Sequence, residues 1–241
     1  MTKEPKSAAA ATSSDPRARI VDALMALATE RRFEEITIRD ICAKAKVSLA
    51  DFRDFFPSKG AVLAGFAKRI DRAVLSGGEE DISREAPRER LFDVLMRRLD
   101  AIAPYREALR EIVAWLRRDP VAALAMHQST VNSMRFMLEA AGIDGQGVAG
   151  AIKLQGLALA WARIVAVWLE DGEPELAKTM AELDRELSRG ERAVAGVDRL
   201  ERIAAPFKAI ALAALEQRQR AREAFRRRPR QDEAPGDAGA P

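Results

Sequence analysis

The 241-residue sequence predicts an all-α fold, with an N-terminal three-helix helix-turn-helix domain joined by a connector helix to a C-terminal helical bundle. Three observations carry this expectation. Ala, Leu, Arg and Glu dominate, and no stretch alternates apolar and polar residues at period two for the length of a strand. Apolar residues instead recur at helical spacing, as Ile38, Ile41, Cys42 and Ala45 do. Pro and Gly signals divide what remains into segments of helical length. Hydrophobic residues make up 48% of the chain, enough for one substantial core or two small ones.

The first helix starts at Asp15-Pro16, an N-cap followed by a proline at the first helical position, and runs to about Arg32 with Ile20, Leu24, Leu27 and Ala28 inward. Thr37-x-x-Asp40 opens the second helix as a capping box, and its Arg39, Asp40 and Lys44 point outward. The third opens at Ser48 and buries Phe52, Phe55 and Phe56. Ser58 caps a longer fourth helix that carries Val62, Phe66 and Ile70 on one face and ends before Gly77-Gly78. Two short helices with a three- or four-residue connection form a helix-turn-helix, whose second helix fits a DNA major groove.

From Pro87 onward, signals at Pro104, Asp119-Pro120, Gly142 to Gly147, Gly172 to Pro174 and Gly190 outline a bundle of about five or six helices. A last helix, through Leu200, Ile203, Phe207 and Leu215, is interrupted by Pro206. The expected division is a disordered arm over 1–14, a helix-turn-helix DNA-binding unit with its connector over 15–75, a helical unit over 76–216, to which the family resemblance described below assigns effector binding and dimerisation, and a basic then disordered tail over 217–241.

Charge is polarised along the chain. Residues 1–75 carry fourteen Lys/Arg against ten Asp/Glu, residues 76–216 nineteen against twenty-three, and residues 217–230 seven Arg against one Glu. The basic first block suits a polyanion, mildly. Cys42 is the only cysteine, so no intrachain disulfide forms, and a cytoplasmic setting is expected. The N-terminus has no apolar segment of the secretory kind. The apolar run Leu157 to Leu169 is broken by Arg163 and too short to cross a bilayer.

Other patterns are set aside on context. Gly145-Gln-Gly-Val-Ala-Gly150 spells a dinucleotide-binding pattern, but a helix precedes it where that motif needs a strand. His127 is the only histidine, and no Cys, His and carboxylate cluster has metal-ligand spacing, so no cofactor, metal or enzymatic chemistry is expected.

Glu30-Arg-Arg-Phe33, Thr37-Ile-Arg-Asp-Ile, Lys46-Val-Ser48 and Phe56-Pro-Ser-Lys59, set within Ile20 to Phe66, resemble the N-terminal domain of the TetR (tetracycline repressor-like) family of bacterial transcriptional regulators. The resemblance implies a homodimer on a palindromic operator of duplex DNA, released when a small apolar or amphipathic effector enters the C-terminal bundle. It also implies a DNA surface of Thr37, Arg39, Lys46, Ser48, Leu49, Ala50, Arg53 and Lys59. Lys46 departs from the family pattern, standing where glycine is common, so a positive φ there costs about 1 kcal/mol. Asp51 departs too. It either faces phosphates and is repelled, or completes a capping box with Ser48. Arg53 reaches guanine, a phosphate or solvent, and only the first carries sequence information.

A second likeness joins the stretch Trp168 to Leu187 to the lipid-binding accessory proteins of ubiquinone biosynthesis. It implies the alternative of a lipid-binding accessory protein of quinone biosynthesis with the same architecture and no DNA recognition. The helix of Phe207 and Leu215 and the arginines after it then make a weak membrane-surface contact, or else its apolar face packs on the bundle and the arginines are solvated. Trp115, Met126, Met134, Met137, Trp161 and Trp168 either line a ligand pocket or fill the core. Arg163, if buried, needs an acidic partner or an anionic ligand. The dimer seam is expected along Val148 to Glu170 and Pro174 to Ser188, through Leu157, Trp161, Ile164, Leu176, Met180 and Leu183.

Overall fold

The computed structural model describes residues 15–77 and 85–195, and these are helical throughout with no strand. Helix α1 spans Pro16–Glu30, and the Asp15 carboxylate accepts from the Arg17 amide at 2.9 Å. A single 3-10 turn, Phe33–Glu35, leads into α2 (Ile38–Ala45), α3 (Leu49–Phe55) and α4 (Lys59–Ser76). Ile20, Leu24, Leu27 and Ala28 are buried, as the spacing of α1 predicts. They pack over Ile41, Phe52, Phe56 and Val62 in one continuous core, where each fully buried Leu, Ile or Phe contributes about 1.5–3 kcal/mol.

The bundle comprises α5 (Pro87–Ile102), α6 (Arg106–Leu116), α7 (Pro120–Ala140) and α8 (Gly147–Glu170). A further helix, α9, occupies 177–195. Pro104 sits in a 3-10 turn, Ala103–Tyr105, that separates α5 from α6. Asp119 caps α7 by accepting from the amides of Val121 and Ala122. Gly142 and Gly147 have φ of +64° and +68°, so they supply the backbone turn that lets α8 start. Gly150 sits against the Gly145 backbone with no room for a side chain, and the run Gly145 to Gly150 is a helix entry without a strand.

The described residues up to Arg192 form one compact unit. Helix α4 packs on α1 at one side and on α5 and α7 at the other, and α1 also packs on α6. Phe33 is the hinge pin of that junction. Its ring centroid lies 4.4 Å from that of Trp115, its amide donates to Glu111 Oε1 at 3.1 Å, and Arg118 pairs with Glu34 at 2.9 Å.

Several expectations need correction. Gly190 does not end a helix, because α9 continues through it. The apolar stretch of α8 is longer than Leu157 to Leu169: Ala149–Glu170 is long and apolar enough by composition to cross a membrane. Its Leu154, Leu157, Ala158, Trp161, Ile164 and Trp168 are nevertheless buried in the chain's own core. Those same burials remove Leu157, Trp161, Ile164 and, on α9, Leu183 from an intermolecular seam, because a side chain that faces its own core cannot also face a partner. The arm over 1–14, the last helix through Phe207 and Leu215, and the arginine-rich tail lie outside the described residues.

Candidate nucleic-acid interface

The turn between α2 and α3 is built by local capping at both helix starts. The Thr37 hydroxyl accepts from the Asp40 amide, and Asp40 Oδ2 accepts from the Thr37 amide at 2.8 Å. Ser48 and Asp51 repeat the arrangement, with amide-to-carboxylate at 3.1 Å and hydroxyl-to-carboxylate at 2.7 Å. Asp51 is therefore a cap. Hydrogen bonds from the Ser48 hydroxyl and amide hold its carboxyl below the usual carboxylate range, and Thr37 does the same for Asp40.

Lys46 ends α2 in the left-handed region, φ 54° and ψ 50°. The strain expected of a non-glycine residue at that turn is present, and the exposed side chain stands between the two helices. Arg19 Nε donates to the Ala45 carbonyl at 3.1 Å, satisfying an end-of-helix acceptor.

Helix α3 is anchored from beneath by fully buried Phe52 and by Phe56. Phe56 rests on Gly65 of α4, where a Cβ would stand 2.7 Å from its ring. With that side fixed, Leu49, Ala50 and Arg53 are turned to solvent, and Leu49 is 53% exposed. Arg39 and Lys46 border that surface, whereas Lys44 is paired with Glu30 and Arg31 with Asp40. Asp51 and Asp54 are exposed on α3 as well, so the patch is basic at its rim and mixed at its centre.

Lys59 departs from expectation. Its ammonium turns inward and donates to the carbonyls of Phe33 at 2.6 Å and Ile36 at 2.9 Å, lying 4.3 Å from the Phe33 ring centroid. Burial pushes its pKa down. The residue ties α4 to the Phe33 turn, with two of its three ammonium N–H bonds spent on backbone carbonyls. Proximity of the Phe33 turn to the start of α4 is tertiary, so nothing in the local sequence signalled it.

Behind α4 lies a cavity of about 430 Å³ between α4, α5, α6, α7 and α8. This falls in the range of about 300–1,000 Å³ typical of small-molecule sites. Of the residues expected in a pocket, Met126 and Trp161 line it. Met134 and Met137 are fully buried core. Trp115 packs on Phe33, and Trp168 lies under Arg106, whose guanidinium carbon is 4.8 Å from its ring centroid and which donates to the Trp168 and Asp171 carbonyls. Arg163 is exposed and pairs at 3.0 Å with Glu186 of α9, so it staples two helices and needs no ligand. Sequence reasoning missed Phe66, Arg98, His127 and Thr130, which also line the cavity. Arg98 pairs with Asp71 across 27 positions, and no local pattern marks such a pair.

No family model matches the sequence, and no curated protein matches it. Solved structures do. The crystal structure of the TetR transcriptional regulator from Nitrosomonas europaea ATCC 19718 superposes with a TM-score of 0.58 at 22% identity, covering 74% of this chain and 99% of that one. A TetR transcriptional regulator from Rhodococcus sp. RHA1 gives 0.53 at 20% identity, covering 73% and 95%. With the capped helix-turn-helix at one end of α4 and the helical bundle around the other, the chain has a TetR-type fold.

Proposed function

We propose that the protein is a DNA-binding transcriptional regulator, a ligand-responsive repressor that acts as a homodimer on a palindromic operator, in the cytoplasm with the chromosome. The observation that carries this reading is the solvent-facing patch of Leu49, Ala50 and Arg53 on α3, anchored beneath by Phe52 and Phe56, with Arg39 of α2 and Lys46 of the turn beside it. The name of the Nitrosomonas relative, a transcriptional regulator of the same fold, supports it. Thr37 and Ser48 stand at the edges of the patch with their hydroxyls engaged in capping, so the cations supply the phosphate attraction. Leu49 and Ala50 offer apolar contact to a thymine methyl, and Arg53 offers a bidentate edge to guanine. Lys59 is not part of this set.

Two copies are needed because one recognition helix reads only a few base pairs. The seam we propose runs along the outward stripe of α8, Ile152 (46% exposed), Gly156 and Leu159 (50% exposed). A Cβ at Gly156 would meet nothing within the chain, so a partner helix can approach closely there. The cavity behind α4 is the effector site in this reading, since Phe66 and Ile70 of its wall belong to the helix that also carries the packing surface for α3.

Binding to DNA from the protein's own upstream region, measured across a salt series, tests the reading. Selective binding that weakens steeply as salt rises supports it. Equal affinity for random duplex DNA, or none, overturns it. Sedimentation of an Ile152→Glu, Leu159→Glu variant should give a ~26 kDa monomer where the parent chain is a dimer.

A further inference from the structure

We infer that the cavity behind α4 selects a neutral, mainly apolar molecule bearing a carbonyl oxygen, and that Arg98 is the residue that reads this oxygen. The inference rests on the reading of the cavity as an effector site. Arg98 lines the cavity yet is only 5% exposed. Its Nη1 donates to Asp71 Oδ1, and its Nε has no partner. A buried donor without an acceptor is a standing cost; Nε is closed off from the empty cavity, so a guanidinium that turns toward an incoming oxygen removes that cost.

Charge decides which kind of oxygen. Asp71 is 8% exposed and each of its oxygens already holds a donor, with Oδ1 accepting from Arg98 and Oδ2 from the Ser133 hydroxyl at 2.8 Å. Arg98 and Asp71 together are neutral. A ligand carboxylate at Arg98 would add a second buried anion beside Asp71, whereas a ketone, ester or amide oxygen adds no charge. The other cation of the lining, Arg117, is exposed, so a carboxylate there would keep its water. The Thr130 hydroxyl is spent on the Met126 carbonyl at 3.0 Å, and His127 Nε2 meets Gln155 Oε1 at 2.7 Å. The guanidinium carbon of Arg98 lies 5.3 Å from the Trp161 ring centroid, which fixes its plane against an aromatic wall. That wall, with Phe66 and Ile70, favours a flat apolar body.

Three shape-matched probes separate the possibilities: 2-acetylnaphthalene, 2-ethylnaphthalene and 2-naphthoate, titrated calorimetrically into the full-length protein without DNA. The ketone is expected to bind about tenfold more tightly than either the hydrocarbon or the carboxylate, the scale of one extra hydrogen bond to a charged donor. Arg98→Lys keeps a cation for Asp71 but removes the Nε–H, and it should bring the ketone down to the affinity of the hydrocarbon. Infrared spectra of the unsubstituted protein give a second readout that needs no variant. The carbonyl stretch of bound 2-acetylnaphthalene should lie at lower frequency than in hexane. Preference for the carboxylate, or an unshifted carbonyl band, overturns the inference. Hydrocarbon and ketone binding equally sinks the carbonyl selectivity while leaving the effector cavity standing. If none of the three binds, the cavity loses both roles, and the DNA-binding reading is then judged on its own assay.

Discussion

The two helix starts of the helix-turn-helix are closed by sequence neighbours, Thr37 with Asp40 and Ser48 with Asp51, although Arg19 and Lys59 also reach carbonyls 26 positions away. In the bundle the ties that join different helices are long. Asp71 meets Arg98 and Ser133 across 27 and 62 positions, Arg163 meets Glu186 across 23, and Arg106 reaches the carbonyls of Trp168 and Asp171 across 62 and 65. The interiors differ in the same sense. Phe52 and Phe56 are fully enclosed beneath α3, with the Phe56 ring against Gly65, while the bundle keeps a cavity of about 430 Å³. Local ties form as soon as their helix forms, so they hold a shape whatever happens elsewhere. Long ties exist only in the assembled bundle, so a ligand entering that cavity can rebalance them. The stiffer end is the one proposed to read DNA, and the adjustable end the one proposed to sense a ligand.

The largest expected effect breaks the long-range side. Asp71→Ala leaves the Arg98 guanidinium buried without its counter-charge and should destabilise by about 3–5 kcal/mol in urea unfolding. Adding Arg98→Met should restore much of that loss, because the pair is then removed together. If the double variant is as unstable as the two single losses added, the pair is not the coupled unit described here. Next comes the stiff end. Gly65→Ala pushes a methyl into the Phe56 ring and should cost about 1–3 kcal/mol by overpacking. Because Phe56 anchors α3, DNA affinity should fall with it, and unchanged affinity would show that α3 is not held from beneath.

Lys46→Gly separates shape from charge at the turn. Relief of the left-handed strain should raise stability by about 1 kcal/mol. Loss of one cation should lower the slope of log K against log salt by about 1 if the side chain meets a phosphate. The smallest effect is at acid pH. Because the folded pKa of Asp51 lies below its ordinary value of 3.8, the stability of this cap is complete above that pH and is lost as pH falls through the lower folded value. Asp51→Asn should therefore flatten the acid limb of the unfolding profile below about pH 4 and change little at neutrality. An unchanged acid limb would remove Asp51 from the capping role.

Much of the reading end was legible residue by residue. Asp15-Pro16, Thr37-x-x-Asp40 and Ser48-x-x-Asp51 announce helix starts because a cap acts over three or four residues. The cost at Lys46 was legible too, since a tight turn between two helices demands a left-handed residue. The site was read less well. Lys59 looked like one more exposed cation after Phe56-Pro-Ser, and only the approach of the Phe33 and Ile36 carbonyls turned it inward. In α8 nearly every face is apolar, so spacing could not say that Trp161 and Ile164 face the chain's own core while Ile152 and Leu159 face out.

Sequence by itself determined the helical class, the capped helix-turn-helix and the positions of most breaks between helices, because these follow from interactions within a turn or two of backbone. Tertiary structure alone decided that Arg163 is a surface staple, that Arg98 is buried beside Asp71, and that Met126 and Trp161 line a cavity while Met134 and Met137 fill the core. The physical reason is range. A helix's own residues decide which of them share a face, but what that face meets, a neighbouring helix, a void or water, is set by elements tens of residues away.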